Sequence, residues 1–226
     1  NVGQGKSAAG LIMLNMDFSQ QVIINTNEQD WQPSPKEGVW RKPLAREDKE
    51  RGHATSIVRY DSGAHFSVHK HPKGEEIFVL EGTFSDETGD YPAGTYFRNP
   101  EGSRHKPFSK EGCIIFVKLH QFQADDAEQL SIDTNKALWL PGHGNLQVLP
   151  LHNHHGESTA LVKWPAGEKF VPHVHPGGEE IYVISGEFID ERGRYPAGTW
   201  IRSPHMSRHH PYVEVDTLIL VKVGHL

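Results

Sequence analysis

HKHPKGEEIFVLEGTFSDETGDYPAGTYFRNPEGSRHKP, residues 69–107, lies over HVHPGGEEIYVISGEFIDERGRYPAGTWIRSPHMSRHHP, residues 173–211, without a gap and with 24 of 39 positions identical. His173 follows His69 by 104 residues. Upstream, Ile24-Asn25-Thr26-Asn27 with Trp31 answers Ile132-Asp133-Thr134-Asn135 with Trp139, now 108 residues apart. Downstream, Val117-Lys118 answers Val221-Lys222. The chain is therefore a duplication, with copies of about 100 residues, too long and too few for a solenoid or propeller. The expected organisation is a disordered leader over residues 1–16, one domain over 17–123 and a second over 124–226, with the acidic stretch Ala124–Glu128 as the joint.

Each copy reads as β. SIVRY (56–60), EEIFVLEG (75–82) and CIIFVKL (113–119), with ALVKW (160–164), EEIYVISG (179–186) and TLILVKV (217–223), are short runs rich in Ile, Val, Phe and Tyr. Gly, Pro, Asn and Asp clusters separate them. No apolar period of 3.6 residues persists, so the fold class expected is all-β, each copy a sandwich or closed barrel.

His69 and His71 stand two apart in one of these expected strands, so their side chains leave the same face. After the turn at Pro72–Gly74, Glu75 shares the parity of Ile77 and Val79 and points inward with them. His105 comes just past the turn Pro100–Gly102. His173, His175, Glu179 and His209 repeat the set. Imidazoles and a carboxylate converging inside an apolar barrel form a divalent-metal site, because buried together without a cation they carry a heavy desolvation cost.

Gly63, His69, His71, Glu75 and Gly82, then Gly94, Pro100, Gly102 and His105, resemble the paired motifs of the cupins. Gly167, His173, His175, Glu179, Gly186, Gly198, Pro204 and His209 resemble them again. Met206 departs from the pattern where the motif has glycine, and if that glycine serves a positive φ the loop before His209 must be reshaped. HPxGEEIxVxxGxFxDExGxYPAGT, with GCxIxVKL after it, is similar more closely to the ChrR-type cupins, the metal-binding domains of anti-sigma factors. The resemblance covers both halves from about Asp17 onward. It implies two tandem double-stranded β-helix barrels of jelly-roll type, a bicupin, with one divalent metal per barrel: zinc first, with iron, manganese and nickel as alternatives. Those anti-sigma factors hold the sigma factor through a separate N-terminal domain with its own cysteine-containing zinc site. Sixteen residues precede the first repeat and there is no second cysteine, so sigma-factor binding is not carried over. Small cupin dioxygenases that cleave diketones or hydroxyacetophenones on a three-histidine iron site are similar too.

Around these sites the expectations are plainer. Glu76 and Glu180 point outward by parity and are expected at the surface or an interface. His152, His154 and His155 are expected in a solvated loop, and Arg98 and Arg202 in structural ion pairs. Cys113 is expected as a buried structural thiol. Tyr60/Trp164, Phe66/Phe170 and Phe116/Leu220 are candidate pocket walls whose plainest role is core packing.

Composition removes several function classes. A net charge of −6 withholds the basic field on which non-specific nucleic-acid binding depends. Mean hydropathy is −0.58, and no apolar run reaches the roughly 20 residues of a membrane helix. One cysteine permits no intrachain disulfide and points to a reducing, cytoplasmic setting. The partners expected are a small-molecule ligand, the second barrel of the same chain as a pseudo-dimer, and a second copy as a homodimer. Function divides on coordination. A tetrahedral zinc saturated by three histidines and a glutamate suits sensing or ligand binding, whereas an octahedral ion keeps positions open for a dioxygenase.

Overall fold

The computed structural model describes residues 13–226. Among them the chain is almost wholly β, with one short 3-10 turn at Thr26–Glu28. The expected strands form: CIIFVKL and TLILVKV become Cys113–Leu119 and Thr217–Val223, and SIVRY and ALVKW lie in Ala54–Tyr60 and Glu157–Trp164.

The chain packs as two compact units, each an antiparallel barrel-forming set of strands. In the first, the sheet runs Leu130–Asp133, Thr95–Asn99, Glu75–Asp86, Cys113–Leu119, Ala54–Tyr60, Val39–Arg46, Gln32–Pro33. Its inward residues Ile77, Val79, Phe84, Phe97, Ile115 and Val117 form one buried cluster. The second runs Val22–Asn25, Thr199–Ser203, Glu179–Ser185, Thr217–Val223, Glu157–Trp164, Gln147–His154, Leu140–Pro141, over Ile181, Val183, Phe188, Ile201 and Ile219.

The packing units do not coincide with the repeats. The first contains residues 30–136 and the second residues 17–29 with 137–226. Each repeat thus gives its opening strand to the other unit. Leu130–Asp133 pairs with Thr95–Asn99, and Val22–Asn25 with Thr199–Ser203. The repeated Thr-Asn that follows each opening strand explains the docking. Thr26 Oγ1 donates to the Gly198 carbonyl at 2.6 Å and Asn27 Nδ2 to the Ala197 carbonyl at 2.8 Å. Thr134 and Asn135 make the same bonds to Gly94 and Ala93.

Two local expectations need correction. Residues 1–12 of the expected leader lie outside the described residues, but Met13–Met16 are ordered against the first unit. Leu14 and Arg46 exchange both backbone hydrogen bonds at 2.9 Å, and Asn15 Nδ2 donates to the Leu44 carbonyl at 2.8 Å. The loop before His209 is not reshaped either. Met206 itself takes φ +63°, beside +87° at its counterpart Gly102. Its side chain projects into solvent, 53% exposed, and a side chain at Gly102 would meet nothing within 4 Å. The left-handed backbone costs a residue with a Cβ about 1–2 kcal/mol, which glycine's greater freedom in the unfolded chain offsets in part. Met206→Gly is accordingly expected to stabilise the second barrel by up to about 1 kcal/mol, read by denaturant unfolding.

Gly82 shows where glycine is obligatory. It sits at φ +69° on the Glu75–Asp86 strand, and a Cβ there would fall 2.2 Å from the Gly112 carbonyl oxygen. This close approach accompanies the register shift between Ile114 and Ile115, beyond which the strand bends on toward Asp86.

Candidate metal centres

In the first unit a two-stranded ribbon, His69–Lys70 against Arg104–His105, sets His69 directly opposite His105. His71 follows the ribbon, and a turn closed by Gly74 N–H to the His71 carbonyl at 3.0 Å delivers the chain to Glu75, the first residue of its strand. His71 Nε2 and His105 Nε2 stand 2.7 Å apart, and Glu75 Oε2 lies 3.2 Å from the first and 3.3 Å from the second. His69 completes the ring, its centroid 4.7 Å from that of His71 and 5.1 Å from that of His105. In the second unit His173 faces His209 across its ribbon. His209 Nε2 lies 2.8 Å from His175 Nε2 and 3.1 Å from His173 Nε2, with Glu179 oxygens 3.2 Å from His175 and 3.3 Å from His209. The donor atoms of His173, His175, Glu179 and His209 all lie within 4.8 Å of one another, as do those of His69, His71 and His105. The second unit thus gathers all four of its singled-out residues, and the first gathers its three histidines with Glu75 against His71 and His105.

Proton positions decide what these clusters can hold. His69 Nδ1 faces the Ser67 carbonyl at 3.0 Å, and His173 Nδ1 faces the Val171 carbonyl at 2.9 Å. A carbonyl only accepts, so both nitrogens carry protons and both Nε2 atoms present lone pairs to the centre. His105 Nδ1 lies 3.1 Å from Asp86 Oδ2, which fixes the same tautomer. Three imidazole nitrogens and one carboxylate oxygen gathered at one point suit a divalent first-row metal.

The surroundings reinforce this. Burial, with the neighbouring imidazoles His105 and His69, pushes His71 down to about 3, and burial with His209 and His173 does the same to His175. Both therefore stay neutral and able to coordinate at ordinary pH. Burial lifts the Glu179 carboxyl to about 7 despite His209, and raises Glu75 likewise. Aromatic rings back each cluster: Phe66 lies 5.5 Å from His69 and Phe170 4.6 Å from His173.

Asp86 and Asp190 escaped the sequence reading. Asp86 orients His105, accepts from Thr88 N at 2.8 Å, and is lowered by these bonds against the upward push of burial. Asp190 stands 3.7 Å from His209 Nδ1 and accepts from Tyr195 OH at 2.8 Å. The signal was present in the repeated Phe-x-Asp-Glu, 104 residues apart, although parity along a strand could not show that its end turns toward the third histidine. Asn99 was missed as well; its Nδ2 donates to Glu75 Oε2 at 3.1 Å, where the second copy has Ser203. Asp86→Asn keeps the acceptor but removes its charge and is expected to weaken metal binding in the first barrel by about 10- to 100-fold with the second unchanged, measured by chelator competition.

Glu76 and Glu180 are not surface groups. They do leave the outer face of their strands, but that face is covered, and they are 6% and 4% exposed. Arg98 pairs with Glu76 at 2.6 Å and with Asp126 at 2.7 Å, as structural pairing requires. Glu180 accepts from Trp200 Nε1 at 3.0 Å and lies 2.9 Å from His225 Nε2. His152 and His154 lie in the strand Gln147–His154 rather than a solvated loop, His152 being 3% exposed; only His155 follows it into the exposed turn. Cys113 is buried, and burial pushes its thiol up to about 11. Tyr60 and Trp164 join the two cores with Phe66 and Phe170 packed on them, whereas Phe116 and Leu220 lie on the opposite faces of their strands, outside those clusters.

The model of the ChrR cupin-like domain matches twice, over residues 19–123 and 127–226. No curated protein matches. Among solved structures, a provisionally assigned dioxygenase from Nostoc punctiforme is similar at a TM-score of 0.78 and 16% identity, over 91% of this chain and 82% of that one. Ylba from E. coli is similar at 0.70 and 15%, over 92% of each chain. Oxalate decarboxylase from Bacillus subtilis, which has Mn(II) centres, is similar at 0.64 and 15%, over 89% of this chain and 76% of that one. At these identities the likeness establishes the fold. No helix among the described residues is long and apolar enough to cross a membrane.

Proposed function

The chain belongs to the ChrR cupin-like domain family, and from that premise we propose that it is a two-centre metal-binding protein with a regulatory or small-ligand-binding role. His69, His71, Glu75 and His105 hold one divalent cation, and His173, His175, Glu179 and His209 a second. Zinc is the first expectation, with iron, manganese and nickel as alternatives. The observation that carries this reading is the convergence of imidazole Nε2 atoms, 2.7 Å apart in the first centre and 2.8 Å in the second, beside His69 and His173, whose tautomers are set by carbonyls on the far side of their rings. A bound ion supplies a Lewis acid for an oxygen-bearing ligand. The histidines fix its place, and the apolar wall behind them excludes water.

Metal analysis of protein made without added metal tests the reading, with two equivalents per chain expected. Protons compete with the ion for the same lone pairs, so both equivalents are expected to leave as the pH falls toward about 5. In the first centre burial holds His69 and His71 below the ordinary imidazole value. At His105 burial pulls the same way but is outweighed by the Asp86 hydrogen bond and the charges of Glu75 and Asp86, so of the three imidazoles this one is the most readily protonated. One equivalent or less, unchanged across that range, would contradict the assignment.

A second reading is an iron(II) dioxygenase acting on a diketone or a hydroxyacetophenone-like compound. It is favoured by the rings of Phe66 and Phe170 against the half-buried His69 and His173, with exposed Val68 and Val171 close by in sequence. The likeness to the Nostoc protein agrees with it. Iron-reconstituted protein should then take up oxygen with such a substrate faster than free iron does; equal rates set the reading aside.

A further inference from the structure

A cavity of about 280 Å³ opens in the first unit on the far side of His105 from the metal centre. Of the four ligating residues only His105 lines it; His69, His71 and Glu75 do not. It is bounded instead by Asp86 and Asn99, the two groups that hold His105 and Glu75 in place. Its outer wall comes from the exchanged strand of the second repeat, through Gln129, Leu130 and Ser131.

Two hydrogen-bond chains run from this cavity to the ligands. One passes from Tyr91 OH through Thr88 Oγ1 to Asp86 and so to His105 Nδ1. The other passes from Gln129 Nε2 to Asn99 Oδ1 at 3.4 Å, and from Asn99 Nδ2 to Glu75 Oε2 at 3.1 Å. A group that bonds to Gln129 or Thr88 competes with these links and shifts an imidazole or a carboxylate that the metal needs. In the second unit Gln21 likewise donates to Ser203 Oγ at 3.3 Å. Serine there is shorter than Asn99, and the first centre alone has the amide that carries the link on to its glutamate.

The lining also defines what fits. Arg104, on the ribbon beside His105, lines the cavity and forms no ion pair or side-chain hydrogen bond among the described residues. Ser131 likewise forms no side-chain hydrogen bond among the described residues. One free guanidinium beside hydroxyl and amide groups selects a small anion bearing hydroxyls, held by a charge-assisted pair to Arg104. The volume sits near the lower end of the roughly 300–1,000 Å³ of ligand pockets, the size of a small metabolite.

We propose that this cavity is an effector site for a small hydroxy-carboxylate, whose binding changes the metal affinity of the first centre and not the second. The proposal rests on the metal-binding reading above. Binding and metal affinity must then be coupled in both directions.

The test uses the full chain loaded with Mn(II), its metal content measured in the same sample. Glycolate, L-lactate, glycerate and L-malate are titrated separately by calorimetry, with glycerol as the uncharged control. At least one hydroxy-carboxylate is expected to bind once per chain, glycerol not at all. Arg104→Ala is expected to weaken that binding by about tenfold or more, and Ser131→Leu to block it by filling the cavity. Arg104 is exposed, so its variant keeps the test decisive if Ser131→Leu fails to fold. Saturating ligand should change the Mn(II) affinity of the first centre by about fivefold or more. Metal-loaded protein that binds none of the four acids overturns the effector site alone, whereas protein that retains no metal overturns the reading beneath it. Binding undiminished in Arg104→Ala would place the acid on the metal itself, and binding without a change in metal affinity would break the coupling; either result also overturns the proposal.

Discussion

His71→Ala is expected to leave the protein with one tightly held metal ion instead of two, and His175→Ala to do the same from the other barrel. His71 Nε2 stands 2.7 Å from His105 Nε2 and 3.2 Å from Glu75 Oε2, so it is shared by most of the contacts that define the first centre. It is 5% exposed. With its ring removed, the remaining donors offer a cation an incomplete shell, and a water in the vacated place is a weaker ligand than the imidazole it replaces. Loss of a group that merely orients a ligand costs about 10- to 100-fold in affinity, so loss of the ligand should exceed about 100-fold. Metal content after dialysis against a weak chelator reads the result. Each unit carries its own four donors, and the double variant should therefore hold no metal. If His71→Ala still binds two ions, or sheds both, independent four-residue centres are the wrong description.

The convergence of these side chains was legible in the sequence because its signals are local. Two histidines two apart on a strand, a glutamate four residues after the second, and a third histidine behind a turn need only β parity and one reversal to meet, and the second copy repeats the demand. The strand exchange was not legible. The matches at Ile24–Asn27 and Ile132–Asn135 mark equivalent segments, yet a repeat that docks on its own barrel and one that docks on the other give the same alignment; the strand pairings and the hydrogen bonds of Thr26 and Thr134 distinguish them. Met206 misled for a physical reason. The position does need positive φ, but an exposed side chain with open space around it can occupy that region at modest cost, so absence of glycine did not mean absence of the turn. Parity likewise placed Glu76 and Glu180 on the outer face correctly, but could not show whether that face is open or covered.

That covered outer face sets up the other large effect. Arg98 is 1% exposed and bridges Glu76 on the strand Glu75–Asp86 to Asp126 in the segment that leads to the exchanged strand, while Phe122 stacks on its guanidinium at 3.9 Å. Coulomb attraction to the two carboxylates, with Tyr96, holds the guanidinium charged against the cost of its burial. Arg98→Ala removes the cation, leaves two buried carboxylates without it, and opens a void under Phe122. Breaking a buried pair from one side costs about 3–5 kcal/mol, more than the intact pair contributes over an apolar replacement, because the carboxylates that lose the guanidinium remain desolvated. The expected result is a loss of that size in denaturant unfolding of the first barrel, with metal binding by His69, His71, Glu75 and His105 retained in the fraction that stays folded. Arg202→Ala supplies the contrast within one chain. Arg202 is equally buried but rests on the rings of Phe18 and Trp200, at 4.8 Å and 5.5 Å, while Glu180 keeps the indole of Trp200 and the imidazole of His225. Its removal takes away packing and a distant charge rather than the centre of a triad, so the cost should be smaller, about 1–3 kcal/mol. Equal losses at the two sites would mean that burial of the arginine stem, not neutralisation of Glu76 and Asp126, is what stabilises this face.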